Sequence, residues 1–298
     1  MESILNKFEA YLLTEKHVAH NTYSAYMHDI GQCVEYAKTC GKALDQIDKN
    51  TLKNFLAHLK KNNVSAQSIS RKISTLKLFF KWAHQHYGWQ PIADDLVFPK
   101  LDKKLPNYLS EQEVQELLQA AHEDTSEVGK RNLLMLYLLY SAGLRVTELT
   151  TLKVSDINDD TGVITLLGKG SKQRVVPLPA HILVMVQDYV KTIHKKFMQI
   201  HGNTEYLFPS VYAGVVKPIS RQAYWNILKQ LCAKTTIKRV VSPHVLRHSL
   251  ATHLLKNGAH LRSLQLLLGH ENLSTVQIYT HVEMSHLRVL YNKKHPRS

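Results

Sequence analysis

Apolar positions recur at helical spacing through roughly the first ninety residues. Ile4, Leu5, Phe8, Tyr11 and Leu12 share one helical face, and Tyr23, Tyr26, Ile30, Cys33, Val34 and Ala37 share another before Gly41 ends the run. Leu52, Phe55, Leu56 and Leu59 mark a third stripe, and Ile69, Ile73, Leu76, Phe79, Phe80 and Ala83 a fourth. The pattern predicts a small four-helix domain. It then breaks: Pro91, Pro99 and Pro106 punctuate a segment ending in PKLDKKLPN, which reads as a linker. Ser110 with Glu113 three residues later forms the wording of a capping box and opens a second domain. Helical spacing continues through Tyr140, and SAGLRVTEL turns at Gly143 into a further helix. GVITLLGKGSKQRVVPLP differs in kind, with two β-rich runs flanking a glycine-bearing turn, and predicts a hairpin. From Ala180 the spacing is helical again to the end. The expected fold class is mainly α: a helical domain over residues 1–88, a linker over 89–108, and a mainly helical second domain over 109–298 with one small antiparallel sheet.

Composition narrows what such a chain can touch. Of 298 residues, 44% are hydrophobic, which predicts packed cores rather than disorder, and the formal charge is +14. The excess is shared, with 15 basic against 10 acidic residues before Pro106 and 23 against 14 from there on. A positive balance carried by both folded segments favours an extended polyanion met by both. Lys53, Lys60, Lys61, Arg71, Lys72, Lys77 and Lys81 lie beside the third and fourth stripes and read as a phosphate-contacting face. Cys33, Cys40 and Cys232 form neither a disulfide nor a metal pattern and suit a reducing compartment; Cys33 reads as a small core residue. The N-terminal MESILNKFEAYLL lacks the uninterrupted apolar run of a signal peptide. The most apolar stretch, residues 133–144, is far short of the ~20 residues that span a bilayer. A cytoplasmic chain with no membrane association is expected.

Candidate chemistry gathers in the second domain. In SPHVLRHSLATHLL, Ser242 is a good N-cap and Pro243 suits the first helical position. His244 and Arg247, three apart, share the first turn, where orphaned N–H groups and the positive end of the helix dipole favour an anion. Arg145 in SAGLRVTEL, Lys169 in LLGKGSKQR, and His270 with Tyr279 in LLLGHENLSTVQIYTHV are the other loaded positions. Each has a structural alternative: Arg145 can pair with Glu148, Lys169 can be an exposed loop lysine, His270 can sit on a helix C-terminal dipole, and Tyr279 can pack. His248 and His253 read as structural. A metal site is not expected. His244 and His248 have zinc-ligand spacing, but no third ligand accompanies them and Arg247 stands between; the phrase opened by His270-Glu271 has Ser274 where its second histidine should be.

Together these pieces strongly resemble the tyrosine recombinases, the family of phage integrases and Xer proteins. The family pattern of Arg, Lys, His-x-x-Arg, His and Tyr is filled in order by Arg145, Lys169, His244-Val-Leu-Arg247, His270 and Tyr279. The likeness covers nearly the whole chain, and SPHVLRHSLATHLL, LLLGHENLSTVQIYTHV and the closing HPRS look most like the XerD branch. The resemblance implies a two-domain DNA clamp, with a core-binding domain ahead of a catalytic domain. It implies Tyr279 as nucleophile forming a 3′-phosphotyrosyl link, Arg145 and Arg247 on the non-bridging oxygens, and Lys169 as proton donor to the departing 5′-oxygen. His244 would serve as general acid/base and His270 would bond the phosphate. Neither metal nor nucleotide cofactor is implied, because one phosphoester replaces another. The implied partners are a dif-type site in double-stranded DNA, a XerC-like recombinase in a heterotetramer, and an FtsK-like translocase, acting in chromosome-dimer resolution. Three alternatives share part of the pattern: an integron or phage-type integrase or the XerC-like partner itself, a type IB topoisomerase, and an inactive DNA-binding regulator.

Overall fold

The computed structural model describes residues 4–18, 20–100, 108–167 and 173–268. The chain divides into two units, Met1–Lys104 and Leu105–Ser298.

In the first unit the expected stripes become α1 (Ile4–Thr14), α2 (His20–Thr39), α3 (Lys49–Lys61) and α4 (Ala66–Tyr87), with a 3₁₀ turn at Leu44–Gln46. Local chemistry sets their ends. The Asp48 side chain accepts from the Thr51 N–H to start α3, the Ser65 hydroxyl accepts from Ser68 to start α4, and Gly88 closes α4 in the left-handed region. The stripes meet in a core that includes Phe8, Ile30, Phe55, Ile73, Phe79 and Trp82. Cys33 belongs to it, and burial pushes its thiol pKa up to about 12. The basic face is narrower than periodicity implies. Lys72 is buried, with Nζ bonded to Asp29 at 2.7 Å, and Arg71 bonds the same carboxylate and the Ala25 carbonyl. Asp29 is fully buried, so these two cations balance an internal charge, while Lys53, Lys60, Lys61 and Lys81 remain exposed.

The second unit opens with the expected capping box: the Ser110 hydroxyl accepts from the Glu113 N–H, and Glu113 accepts from the Ser110 N–H. There follow α5 (Glu111–His122), α6 (Glu127–Ser141) and α7 (Val146–Thr150), then β1 (Ile157–Asn158), β2 (Val163–Leu167) and β3 (Gln173–Pro177) as one antiparallel sheet in that order. The helix α8 (Ala180–Tyr189) continues through a π-helical turn at Val190–His194 into α9 (Lys195–His201). The helical expectation beyond Ala180 is then corrected. Between α9 and α10 (Arg221–Cys232) lies a second antiparallel sheet of β4 (Pro209–Tyr212) and β5 (Val215–Pro218). Its four-residue strands are too short to show a period of two, and its turn uses Ala213 and Gly214, both at positive φ. The described chain ends with α11 (Pro243–Lys256) and α12 (Leu261–Leu268). A core built on α6, including Leu134, Leu138 and Tyr140, receives Leu246, Leu250 and Leu254 from α11 and Ile164 and Val176 from the sheet. Among the described residues no helix is long and apolar enough to cross a membrane.

Candidate active site

The site begins at a sharp turn. After α6, Gly143 adopts φ +59°, and a Cβ there would lie 2.9 Å from methyl carbons of both Leu250 and Leu268. Only glycine satisfies both the conformation and the space. The turn delivers Arg145 to the N-cap position of α7, in extended backbone. Its backbone N–H donates to Glu148 Oε2 at 2.7 Å and its Nη1 donates to Glu148 Oε1 at 2.8 Å.

Glu148 also receives a second arginine. From β3, Arg174 Nη1 and Nη2 donate to Glu148 Oε1 and Oε2 at 2.6 and 2.7 Å, a fork-on-fork pair. Sequence reading weighed the Arg145–Glu148 pair but did not single out Arg174. The signal was present: on β3 the residues at 174 and 176 face inward, so a charged side chain at 174 occupies a position the alternation reserves for an apolar one.

The third guanidinium comes from α11. The Ser242 hydroxyl accepts from the Val245 N–H and Pro243 fills the first helical position, as the local wording predicts. Arg247, in the first turn, is buried and donates from Nη1 to the Gly143 carbonyl and from Nη2 to the Leu268 carbonyl. One side chain thereby ties the turn before Arg145 to the ends of α11 and α12. His244, three residues earlier, is exposed at the mouth of the same helix start. His253, further along α11, is buried between the Tyr140 hydroxyl and the Leu109 carbonyl, and it is structural as expected. Lys169, His270 and Tyr279 lie outside the described residues.

Electrostatics couple the three arginines. Burial, followed by the charges of Arg145 and Arg174, together bring the Arg247 pKa down to about 10 against the opposing charge of Glu148. Arg247 therefore stays protonated at neutral pH while bearing the repulsion of two neighbouring cations. Burial would raise Glu148, but the Arg174 hydrogen bonds and charge, followed by the Arg145 donors, hold it below the ordinary carboxylate value. Two cations thus share one carboxylate, and a third, Arg247, lies within reach of their charges. The excess positive charge beside the α11 N-terminus suits a phosphate.

Comparison with known proteins identifies the family. A model described as the phage integrase family matches residues 107–286, and one described as the phage integrase N-terminal SAM-like domain matches residues 5–86. The chain is 39% identical over 301 residues to tyrosine recombinase XerD of Staphylococcus aureus, covering 100% of both. Among solved structures it is similar to the Tn1549 transposon integrase in complex with circular intermediate DNA (TM-score 0.68, 19% identity, 95% of this chain and 98% of that one). It is also similar to XerH site-specific recombinase bound to difH substrate (TM-score 0.66, 19% identity, 99% of this chain and 82% of that one).

Proposed function

The chain belongs to the phage integrase family of tyrosine recombinases, and from that premise we propose how its residues divide the work of cutting and rejoining DNA. It is a XerD-like site-specific recombinase, an enzyme that transfers DNA strands, and its substrate is double-stranded DNA. The Tyr279 hydroxyl attacks a scissile phosphodiester. A P–O bond to tyrosine forms as the bond to the 5′-oxygen breaks, which leaves a 3′-phosphotyrosyl link and a 5′-hydroxyl. Attack by a 5′-hydroxyl from another strand reverses the chemistry. An unperturbed tyrosine hydroxyl, with a pKa of about 10, is a poor nucleophile at neutral pH and needs help. Arg145 and Arg247 meet the negative charge that grows on the non-bridging oxygens, Lys169 protonates the departing 5′-oxygen, His244 acts as general acid/base, and His270 bonds the phosphate. The observation that carries this reading is the meeting of Arg145 and Arg247, 102 positions apart in sequence, around one excess of positive charge.

The biological setting follows from the same likeness: resolution of chromosome dimers in the cytoplasm at a dif-type site, with a XerC-like partner in a heterotetramer and an FtsK-like translocase as activator. The domain assignment of residues 1–88, 89–108 and 109–298 as core-binding domain, linker and catalytic domain belongs to this proposal. The test is Tyr279→Phe on a duplex nicked beside the scissile phosphate. The variant should bind as the parent does and yield no covalent protein–DNA adduct. Adduct at the parental level would remove Tyr279 as nucleophile and leave Tyr291 as the next residue to change.

A further inference from the structure

We propose that Lys49, Lys53 and Lys77 form a phosphate-binding site on the first unit, and that Asp95 fills it as an internal competitor which DNA must displace. The inference rests on double-stranded DNA being the substrate.

The competitor comes from the segment after α4, which the first unit holds by apolar contact. Ala93 and Leu96 are buried in its core, and Trp89 and Ile92 pack against that core. The Trp89 ring centre lies 6.3 and 6.4 Å from those of Phe79 and Phe80, and its carbonyl is 2.6 Å from His84 Nδ1. These contacts seat the segment with no ion pair among them, and they bring Asp94 and Asp95 to α3 and α4.

Three lysines converge there. Lys49 and Lys53, four apart, share one face of α3, and Lys49 Nζ bonds Asp95 Oδ2. From α4, Lys77 Nζ donates to the Asp94 carbonyl at 2.8 Å and lies 5.2 Å from the centre of the Phe98 ring. The Lys49 hydrogen bond and charge, followed by the charges of Lys53 and Lys77, hold the Asp95 carboxyl below its ordinary pKa, with desolvation working the other way. The Asp95 carboxylate therefore sits within the field of three ammonium groups. A lysine meets phosphate as a point charge, and a carboxylate offers the same kind of anionic oxygen. A duplex presents about one negative charge per 1.7 Å of its axis, which suits a cluster with more cations than one aspartate neutralises.

Stability does not account for the pair. The Lys49 and Asp95 side chains are 53% and 68% exposed, and ion pairs so open to water contribute little to folding. Its effect falls on binding instead. A duplex that takes these lysines first releases Asp95, and the released carboxylate recaptures a cation in place of one that the phosphate sheds.

The experiment is equilibrium binding of the full chain to a short mixed-sequence duplex over a range of salt. Asp95→Asn keeps the shape and removes the competing charge. It should tighten binding about 3–5-fold and steepen the plot of log affinity against log salt by about one unit, since no cation is recaptured. Asp94→Asn removes an equal charge from a residue that joins the cluster through its carbonyl, and should change affinity far less. Lys49→Ala should weaken binding, and adding Asp95→Asn to it should recover much less than the same change gains in the parent. Thermal unfolding of Asp95→Asn should match the parent. Equal gains from Asp94→Asn and Asp95→Asn would reduce the effect to net charge and overturn the proposal. Unchanged or weaker binding by Asp95→Asn, a lowered unfolding temperature for that variant, or parental affinity for Lys49→Ala would overturn it as well. If the parent fails to bind the duplex, the reading of DNA as substrate fails first, a result visible without any variant.

Discussion

His253 shows how a single side chain can hold the fold together without touching the reaction. Its Nε2 donates to the Leu109 carbonyl, so Nδ1 is left to accept from the Tyr140 hydroxyl. Burial holds its pKa below the ordinary 6.5, while the Leu109 carbonyl works in the opposite direction. The unfolded chain therefore binds this proton more readily than the folded one. The stability His253 contributes is fully present above about pH 6.5 and is lost as pH falls below that value. Urea unfolding at pH 7.5 and 5.5 should show a drop in midpoint for the parent on acidification. His253→Asn should start from a lower midpoint and show a smaller drop. An unchanged drop would mean that other groups carry the acid sensitivity. His253 and Ser249 together hold the backbone of Leu109, whose N–H donates to the Ser249 hydroxyl, so the same contacts fasten the chain ahead of α5 to the helix that bears His244 and Arg247.

Packing between α2 and α4 carries a different electrostatic arrangement. Asp29 on α2 is fully buried and faces Lys72, Arg71 and the Thr75 hydroxyl on α4. Removing one partner of a buried pair is costly because it strands the other charge. Asp29→Ala should destabilise the first unit by about 3–5 kcal/mol, whereas Asp29→Leu combined with Lys72→Met should recover much of that loss. Denaturant unfolding followed through Trp82, which lies in the core of that unit, measures both. A loss below about 1 kcal/mol for Asp29→Ala would show that water reaches the pair. Lys72 was legible as basic and helical, but its direction was not. A lysine beside an apolar stripe is written identically whether it meets solvent or an aspartate 43 positions away. The β4–β5 hairpin was hidden for a related reason: Val211, Tyr212 and Val215 are exposed, so no buried alternation marks the strands.

At the scale of the whole molecule, the net charge of +14 is drawn from both sides of Pro106. Intramolecular pairs tie up some of the basic side chains without changing that balance, among them Lys49–Asp95 and Lys72–Asp29 in the first unit and Arg174–Glu148 in the second. The exposed remainder is what a DNA backbone can meet. If both units displace counterions, six to ten phosphate contacts would weaken duplex binding by about 10³–10⁵-fold between 50 and 200 mM salt. Equilibrium binding to a short duplex across that range measures the slope. A fall of only about tenfold would correspond to about two phosphate contacts in all and would count against binding by both units.

Sequence by itself determined what is decided within a few residues. Helix periods, the capping box at Ser110, the stop at Gly88 and the Ser242-Pro243 start depend on contacts three or four positions apart, and each is visible in the residues that make it. It also set the order Arg145, Lys169, His244, Arg247, His270, Tyr279, which is specific because six chemically demanding residues coincide in one pattern. Tertiary structure decided which charges are neighbours. The sharing of Glu148 by Arg145 and Arg174, the seating of Arg247 on the Gly143 and Leu268 carbonyls, and the inward turn of Lys72 all join residues far apart in the chain. Helix spacing and strand alternation state which face a residue occupies, but not which element packs there. A charge buried on such a face takes its meaning from the partner that packing supplies.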